Sequence, residues 1–316
     1  MVTVSRDGYL KKVSLRSYGS SQKDVIALMD EDMPVFSSEV ETTDYLVFVT
    51  SRGRYGLILV HEIDEARWRD TGSHINQYMK CDPNEKIISV FTLKSFDTYR
   101  FIVTSTASGM IKKTAISELE VKRTNRLYDV MKLGKHDELV GAVITSNDEH
   151  LLLVSKEGQC MRLDLAEINP IGLRAKGVIG MKLKLNDRVV STMGLSDESE
   201  VVFVSDRFQM KRIKAQDIAI NNRATQGTSI VKMVKSNPHC LAELFVGNIQ
   251  DHILIYNDHT SIIPIKDVPI MSADATFSTV TTEKDFSILR PLVHVVKVAI
   301  PKVEDKSVTE PLKLDL

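Results

Sequence analysis

Cysteine is scarce in this chain of 316 residues. The three cysteines, Cys81, Cys160 and Cys240, stand far apart and form no C-x-x-C pair. This spacing predicts neither a disulfide framework nor a cysteine zinc site, and it is typical of a protein of a reducing, cytoplasmic compartment. No apolar run approaches the roughly 20 residues of a transmembrane helix, and the first residues lack the apolar core of a signal peptide. We therefore expect no contact with a membrane.

Catalytic and metal-binding motifs are also missing. The eight histidines are scattered and form no H-E-x-x-H pair. Residues Gly172 to Gly177 have the G-x-x-x-x-G spacing of a phosphate loop but lack the Lys-Ser/Thr that should follow. We interpret them as a turn in which the backbone passes close to a neighbour. No nucleophile, base and orienting acid can be chosen by spacing, so we predict no catalytic residue, no metal and no cofactor.

An excess of charge of either sign is missing too. The chain has 41 lysines and arginines against 42 acids, a net charge of −1. Taken alone, this balance argues against a nucleic-acid-binding protein, so such a function would require charges that are unevenly distributed. The hydrophobic content of 43% is that of an ordinary globular protein.

Helical patterns are scarce, whereas one hairpin pattern occurs six times. Each copy is an apolar strand, a tight turn and a second strand that often ends in basic residues; the copies cover residues 2–13, 45–59, 100–116, 150–165, 200–213 and 252–265. The turn positions align at Gly8, Gly53, Gly109, Gly158, Phe208 and Thr260, which lie 45 to 56 residues apart. A period near fifty with several strands per unit is the signature of a radial array of β-sheets.

Two further elements recur with the hairpin. A polar turn and a short apolar strand, such as residues 186–192, precede hairpins and are predicted to lie nearest the central axis, buried on both faces. A polar, basic loop that enters another strand, such as residues 172–183, follows hairpins. The chain is therefore predicted to be all-β, with six four-stranded blades over residues 1–300 and a frayed tail over 301–316. Residues 292–298 are expected to provide the inner strand of the first blade, and the chain is expected to be cut from a longer protein.

Charge is unevenly distributed along the repeats. Residues 5–23 carry five bases and one acid, residues 24–44 carry seven acids and no base, and residues 205–235 carry seven bases and two acids. The basic blocks are outer strands and the loops after them, which a radial array would place on its rim. Paired lysines on a strand are also common as solvated edge residues that oppose aggregation, and repetition at one position after the turn is what favours a binding role.

The run from Thr3 to Tyr18, the later hairpins and the Gly172–Gly177 segment together resemble the C-terminal domain of bacterial type IIA topoisomerase A subunits. The resemblance covers nearly the whole chain. It implies a six-bladed β-pinwheel whose blades exchange outer strands, and a non-catalytic domain that binds and bends duplex DNA. The cleavage tyrosine would lie outside this chain. The implied partners are duplex DNA, the remainder of the topoisomerase chain and, through it, the B chain with the ATPase.

Residues 17–23 distinguish the two branches of this family. Gyrase-type domains carry a box with paired arginines and glycines here, whereas this chain has Ser-Tyr-Gly-Ser-Ser-Gln-Lys. The segment is similar to the topoisomerase IV branch of Gram-positive bacteria, which implies DNA bending in chromosome segregation and a cytoplasmic, nucleoid-associated location. The alternatives are a gyrase-type DNA-wrapping domain and a propeller-like protein-interaction scaffold, which retention on a DNA resin would distinguish from a DNA-binding domain.

The predicted contacts with DNA phosphates are basic residues on the hairpins and on the loops that follow them. Such contacts position DNA without reading its bases. The candidates are Lys11, Lys12, Arg16, Arg54, Lys112, Lys113, Arg123, Arg126, Arg162, Arg174, Lys176, Lys211, Arg212, Arg223 and Lys232.

Overall fold

A computed structural model of the chain describes residues 1–20, 27–29, 32–146, 149–232, 239–256, 260–280 and 294–297. In these residues the strands are β1 Val2–Ser5, β2 Tyr9–Lys12, β3 Pro34–Ser38, β4 Tyr45–Thr50, β5 Arg54–Leu59, β6 Ser73–His74, β7 Ile87–Leu93, β8 Phe101–Thr106, β9 Met110–Ala115, β10 Tyr128–Asp129, β11 Leu139–Thr145 and β12 His150–Ser155. They continue with β13 Gln159–Asp164, β14 Val178–Ile179, β15 Val189–Leu195, β16 Glu200–Ser205, β17 Gln209–Lys214, β18 Thr228–Ser229, β19 Leu241–Gly247, β20 His252–Tyr256, β21 Thr260–Pro264, β22 Ser278–Thr279 and β23 His294–Lys297.

Helical structure in the described residues is limited to short turns. One α-helix, α1, spans Leu15–Gly19, where the Ser14 side chain accepts a hydrogen bond from the Ser17 amide as an N-cap. The 3₁₀ turns are Val60–Glu62, Ile75–Gln77, Ile116–Leu119, Leu165–Glu167, Ala215–Asp217 and Ile265–Asp267. None of the helices in this part of the chain is long and apolar enough to cross a membrane.

Five sheets have four antiparallel strands each, and we number them blades 1 to 5 by their hairpins. Written from the inner to the outer strand, their orders are β3-β1-β2-β6, β7-β4-β5-β10, β11-β8-β9-β14, β15-β12-β13-β18 and β19-β16-β17-β22. A sixth sheet has three strands, β23-β20-β21. The prediction of an all-β, propeller-like array is confirmed, but the prediction of six four-stranded blades is wrong, because the described residues form five four-stranded sheets and a sixth of three strands.

The order of strands explains the difference. The outer strand of each blade comes from the following repeat: β6 pairs with β2, β14 with β9 and β18 with β13. By this rule the sixth sheet would take its outer strand from the segment between β2 and β3. The described part of that segment contains α1 and no strand.

The inner strands lie side by side around the centre, and β23 contacts both β19 and β3. The prediction for residues 292–298 is therefore half wrong. The described part, His294–Lys297, is an inner strand, but it pairs with β20 in the sixth sheet, while blade 1 has its own inner strand, β3. The predicted tail, 301–316, lies outside the described residues.

The hydrophobic core lies between successive sheets. Along β12, Leu152 and Val154 pack toward blade 5, whereas Leu151 and Leu153 pack toward blade 3, because successive side chains of a strand point to opposite faces. All four are fully buried. The inner strands are only partly buried, so the prediction that they are buried on both faces is wrong; the middle strands, which have a neighbouring sheet against each face, are the buried ones.

Candidate nucleic-acid interface

The basic residues on the second strand of each hairpin are buried. The exposed fraction is 5% or less for Lys11, Lys112, Lys113, Arg162, Lys211 and Arg212. The sequence pattern predicts an exposed rim position for each of them, and that prediction is wrong, as is their alternative interpretation as solvated edge residues. The reason is the following repeat. Its outer strand pairs with the hairpin's second strand, and residues before that outer strand offer backbone carbonyls to these cations.

Three lysines at the third position after the hairpin turn bind backbone carbonyls of the covering segment. The Nζ of Lys112 donates to the oxygens of Gly172 at 3.0 Å and Leu173 at 2.6 Å. The Nζ of Lys11 donates to the oxygens of Trp68 and Asp70, at 2.6 and 2.7 Å. Charge-assisted hydrogen bonds of this kind are stronger than neutral ones.

The third lysine repeats the arrangement in blade 5. The Nζ of Lys211 donates to the oxygens of Ala273 at 2.7 Å and Ala275 at 3.1 Å, and it lies 5.1 Å from the centre of the Phe277 ring. Burial lowers the pKa of Lys11, Lys112 and Lys211 to about 8. The carbonyl acceptors favour the ammonium form, so these side chains are cations at neutral pH.

The basic residue at the next position binds the 3₁₀ turn of the following blade. Lys113 donates to the oxygen of Leu165 at 2.7 Å, and Arg212 Nε donates to that of Val268 at 3.0 Å. Arg162 donates to the oxygens of Ala215 and Ile218, at 2.7 and 3.0 Å. The carbonyls of Leu165 and Ala215 also accept a bond from an amide of their own turn, at 3.3 and 3.1 Å. The cations therefore add a charge-assisted bond from the preceding blade and join one blade to the next.

Two further candidates have partners of their own. Lys12 is half-buried and donates to the oxygens of Val60 and His61, at 3.5 and 3.2 Å. Arg54 is partly buried and pairs with Glu85 and Asp82, the latter at 2.9 Å. Because both acids neutralise its charge, Arg54 is poorly placed to bind phosphate.

The other seven candidates are exposed. They are Arg16, Arg123, Arg126, Arg174, Lys176, Arg223 and Lys232. All of them except Arg16 lie on or just after the segments that run from a 3₁₀ turn to the outer strand of the preceding blade. We call these crossover segments; they are residues 64–74, 120–129, 169–179, 219–229 and 269–279.

Sequence reasoning missed several exposed cations on the same surface. Arg67, Arg69 and Lys122 lie on crossover segments, and Lys132, Lys135, Lys182 and Lys184 follow them. Aligning the repeats by the 3₁₀ turn rather than by the hairpin turn would have found them. The available signal was the position of each residue after that turn, not the presence of paired lysines.

Consecutive crossover segments are joined to each other by backbone hydrogen bonds. The amide of Lys132 donates to the oxygen of Ala175 at 3.1 Å, and the amide of Lys182 donates to that of Thr225 at 2.8 Å. The guanidinium of Arg223 also donates to the oxygen of Ile179 at 3.2 Å. Residues 120–135, 169–184 and 219–232 therefore form one continuous surface across blades 2 to 4.

This surface, which we call the basic arc, is strongly positive. Its three stretches contain eleven lysines and arginines, all exposed, against two acids, Glu120 and Asp129. The remaining crossover segments differ: residues 64–74 hold two arginines and three acids, and residues 269–279 hold Asp274 and no base.

Acids gather at one end of the array. The loops that lead from an inner strand to the next hairpin all leave the sheets at the same end, and their described residues include Glu39, Glu41, Asp44, Asp97, Glu149, Asp197, Glu198 and Asp251. Two bases, Lys94 and Arg100, lie in these loops, and Lys94 pairs with Glu41 at 2.7 Å. The net charge of the chain is therefore close to zero although one end of the array is acidic and the arc is basic.

Four stretches of the chain, residues 44–94, 100–146, 149–194 and 199–235, match the family model described as DNA gyrase C-terminal domain, beta-propeller. Together they make up more than half of the chain. The chain belongs to this family. The expected relationship to type IIA topoisomerase A subunits is thereby confirmed.

Curated relatives of the domain include the A subunit of DNA topoisomerase 4 from Staphylococcus aureus strain MRSA252, which is 33% identical over 239 residues. The match covers 76% of this chain and 30% of that protein. The chain thus spans about a third of the length of the curated relatives it matches.

Solved structures show the same architecture. The C-terminal domain of DNA topoisomerase IV aligns with a TM-score of 0.80 at 29% identity, over 94% of this chain and 92% of that chain. A DNA gyrase A C-terminal domain aligns with a TM-score of 0.75 at 22% identity, over 94% and 99%; at that identity the likeness concerns the fold alone.

Proposed function

We propose that this domain binds duplex DNA along the basic arc and bends it, as a non-catalytic part of a type IIA topoisomerase of the topoisomerase IV kind. The observation that supports the proposal most is the arc itself, in which eleven exposed cations follow one another over three joined segments. A curved cationic surface attracts a polyanion even when the molecule is neutral overall. The acidic end would repel DNA from that part of the array.

The contacts are only part of those that the sequence pattern predicts. Arg123, Arg126, Arg174, Lys176, Arg223 and Lys232 belong to the arc, whereas the buried hairpin cations bond the backbone of crossover segments and 3₁₀ turns. Smoothly bending a site of 20–30 bp by 40–90° costs on the order of 1–6 kcal/mol. Phosphate contacts from three blades would offset that cost. In the whole enzyme, the proposed partners are the remainder of the topoisomerase chain and the B chain with the ATPase.

A charge-reversal pair of variants tests the proposal. One variant changes Arg123, Arg126 and Arg223 to Glu; its control changes Lys94, Lys214 and Lys266 to Glu, three exposed cations outside the arc. Both alter the net charge equally. Binding to a 30-bp duplex is measured against salt, where log K falls with log salt at a slope of about −0.9 per neutralised phosphate.

The arc variant is expected to lose affinity and part of the salt slope, while the control keeps both. Equal losses of DNA affinity in the two variants would contradict the assignment of the binding surface to the arc. Energy transfer between dyes on the two DNA ends measures bending. A wild-type domain that binds DNA without bringing the ends closer would contradict bending, and one that passes through a DNA resin at low salt would favour the protein-interaction scaffold.

A further inference from the structure

The turn that presents Arg174 and Lys176 is held from below by a buried cation. In blade 3, Lys112 is 1% exposed, and its Nζ bonds the carbonyls of Gly172 and Leu173, the two residues before Arg174. Because it is enclosed, Lys112 has no surface to offer to a phosphate. Its ammonium instead bridges two successive carbonyls of a segment that begins about 60 residues later in the chain.

Other bonds define the same turn. The amide of Ala175 donates to the oxygen of Gly172 at 3.2 Å, so that oxygen accepts from both the turn and Lys112. Thr114 Oγ1 donates to the oxygen of Ile171 at 2.9 Å. Past the turn, the oxygen of Ala175 accepts from the amide of Lys132, which links it to the neighbouring crossover segment. The tip carries exposed Arg174 and Lys176 while its backbone is fixed from the side of blade 3.

We propose that Lys112 is a positioning residue for DNA binding, which holds the turn at residues 172–175 so that Arg174 and Lys176 meet the phosphate backbone together. This inference rests on the proposed function. A phosphate contact made by a preorganised cation loses less conformational entropy than one made by a cation on a loose loop. Loss of Lys112 therefore weakens DNA binding although Lys112 never touches DNA.

The chain contains a matched control for this role. Lys211 occupies the same place in blade 5, is fully buried, and also donates two bonds to carbonyls of its crossover segment, those of Ala273 and Ala275. Its crossover segment, residues 269–279, carries Asp274 and no lysine or arginine. If the buried lysines affected DNA binding only by stabilising the array, replacing Lys112 or Lys211 would reduce DNA affinity by the same factor.

The test compares Lys112→Met and Lys211→Met, in which a side chain of similar length lacks the charge and the donors. Affinity for a 30-bp duplex is measured under conditions where urea titration shows both variants folded. Lys112→Met is expected to bind at least fivefold more weakly than the wild type, and Lys211→Met within twofold of it. Equal losses in the two variants would overturn the proposal.

Coupling to Arg174 and Lys176 provides a second readout, which a purely structural role would not move. The Arg174→Ala/Lys176→Ala variant should lose up to about 1.8 in the salt slope if each residue neutralises one phosphate. Adding Lys112→Met to this variant is expected to reduce DNA affinity little further. Adding Lys112→Met to Arg126→Ala should reduce affinity by the same factor as Lys112→Met does in the wild type. Full additivity with Arg174→Ala/Lys176→Ala would overturn the proposal.

Amide hydrogen exchange separates failure of this inference from failure of the proposed function. Residues 172–176 should exchange faster in Lys112→Met than in the wild type, with or without DNA, while residues 219–229 stay unchanged. Unchanged exchange at 172–176 would overturn the positioning role. A wild-type domain that does not bind DNA would instead overturn the proposed function.

A second variant covers the case in which Lys112→Met does not fold. Thr114→Val removes the hydroxyl that bonds Ile171 and keeps the shape of a buried side chain. It is expected to raise exchange at 171–176 and to weaken DNA binding two- to threefold. A Thr114→Val domain that binds DNA like the wild type despite faster exchange in the turn would show that the turn need not be held, and would overturn the proposal.

Discussion

Gly177 passes directly over Ile111. A Cβ atom on Gly177 would lie 2.4 Å from the carbonyl oxygen of Ile111, and Gly177 has a φ of +87°. Gly72 stands in the same relation to Leu10, and Gly227 to Cys160, with distances of 2.3 Å in both cases. In blades 1, 3 and 4 the crossover segment therefore approaches the hairpin so closely that a side chain does not fit.

Gly177→Ala is expected to destabilise the domain by more than about 1 kcal/mol, since alanine is strained at positive φ and would contact a backbone oxygen. Gly172→Ala is the control, because a Cβ there meets nothing within 4 Å. The free energy of unfolding of both variants is measured by urea titration. A Gly177→Ala domain as stable as Gly172→Ala would contradict the close approach.

Arg162→Met should destabilise the domain because the carbonyl of Ile218 loses its guanidinium donor and that of Ala215 keeps only the amide of Ile218. A buried polar group left without a partner costs about 1–3 kcal/mol. Arg174→Met, on the exposed tip of a crossover segment, should change stability by less than about 0.5 kcal/mol. Urea unfolding midpoints compare the two, and equal midpoints would refute the role of Arg162 in joining blades 4 and 5.

Glu243 should make stability depend on pH. It lies on β19, opposite Val204, where blades 2 and 4 have Ser89 and Ser191. Burial raises the pKa of Glu243 to about 7, and a hydrogen bond from Ser191 opposes the shift. The folded carboxyl therefore holds its proton more tightly than the unfolded one, so its contribution to stability is full below about pH 4.5 and is lost as pH rises through about 7.

The Glu243→Ser variant has the serine that blades 2 and 4 have at this position, and its stability should not fall as pH rises. Melting temperatures between pH 4.5 and pH 8 give the comparison. The variant is expected to gain stability relative to the wild type as pH rises, by more than about 1 kcal/mol over this window. Parallel pH profiles would show that Glu243 does not titrate in this range.

Cys160 should react with thiol reagents only when the domain unfolds. It is fully buried, and burial raises the pKa of its thiol to about 12. The thiolate is the reactive form. In a Cys81→Ser/Cys240→Ser variant, labelling at pH 8 is expected to follow global unfolding measured by circular dichroism. Rapid labelling of the folded variant would contradict the packing between blades 4 and 5.

Much of the fold could be predicted from local patterns. Hairpins with glycine at a positive-φ turn appear at Gly8, Gly53, Gly109 and Gly158, and Phe208 takes the same conformation at φ 57°, as the repeat spacing indicates. The G-x-x-x-x-G segment is the predicted close backbone approach. These features depend on residues near one another in sequence, where turn chemistry and alternation act directly.

The candidate site could be predicted less well, for a reason visible at Lys112. Paired lysines at a strand end indicate an exposed edge when one hairpin is considered alone. Their burial depends on residues that come about 50–60 positions later: Leu165 bonds Lys113, and Gly172 and Leu173 bond Lys112. These residues are brought to the hairpin by a two-residue strand, β14, which pairs with Met110 and Ile111. A strand of two residues has too short a pattern to be recognised as a partner, so no local signal distinguishes a covered edge from an open one.

The sequence by itself determined the all-β class, the repeat, the family and the presence of basic crossover segments. Only the tertiary structure decided which cations face water and which hold the blades together. A lysine on a strand has the same local pattern in either role, and what separates the two is whether another segment packs over it and offers carbonyl oxygens to its ammonium group.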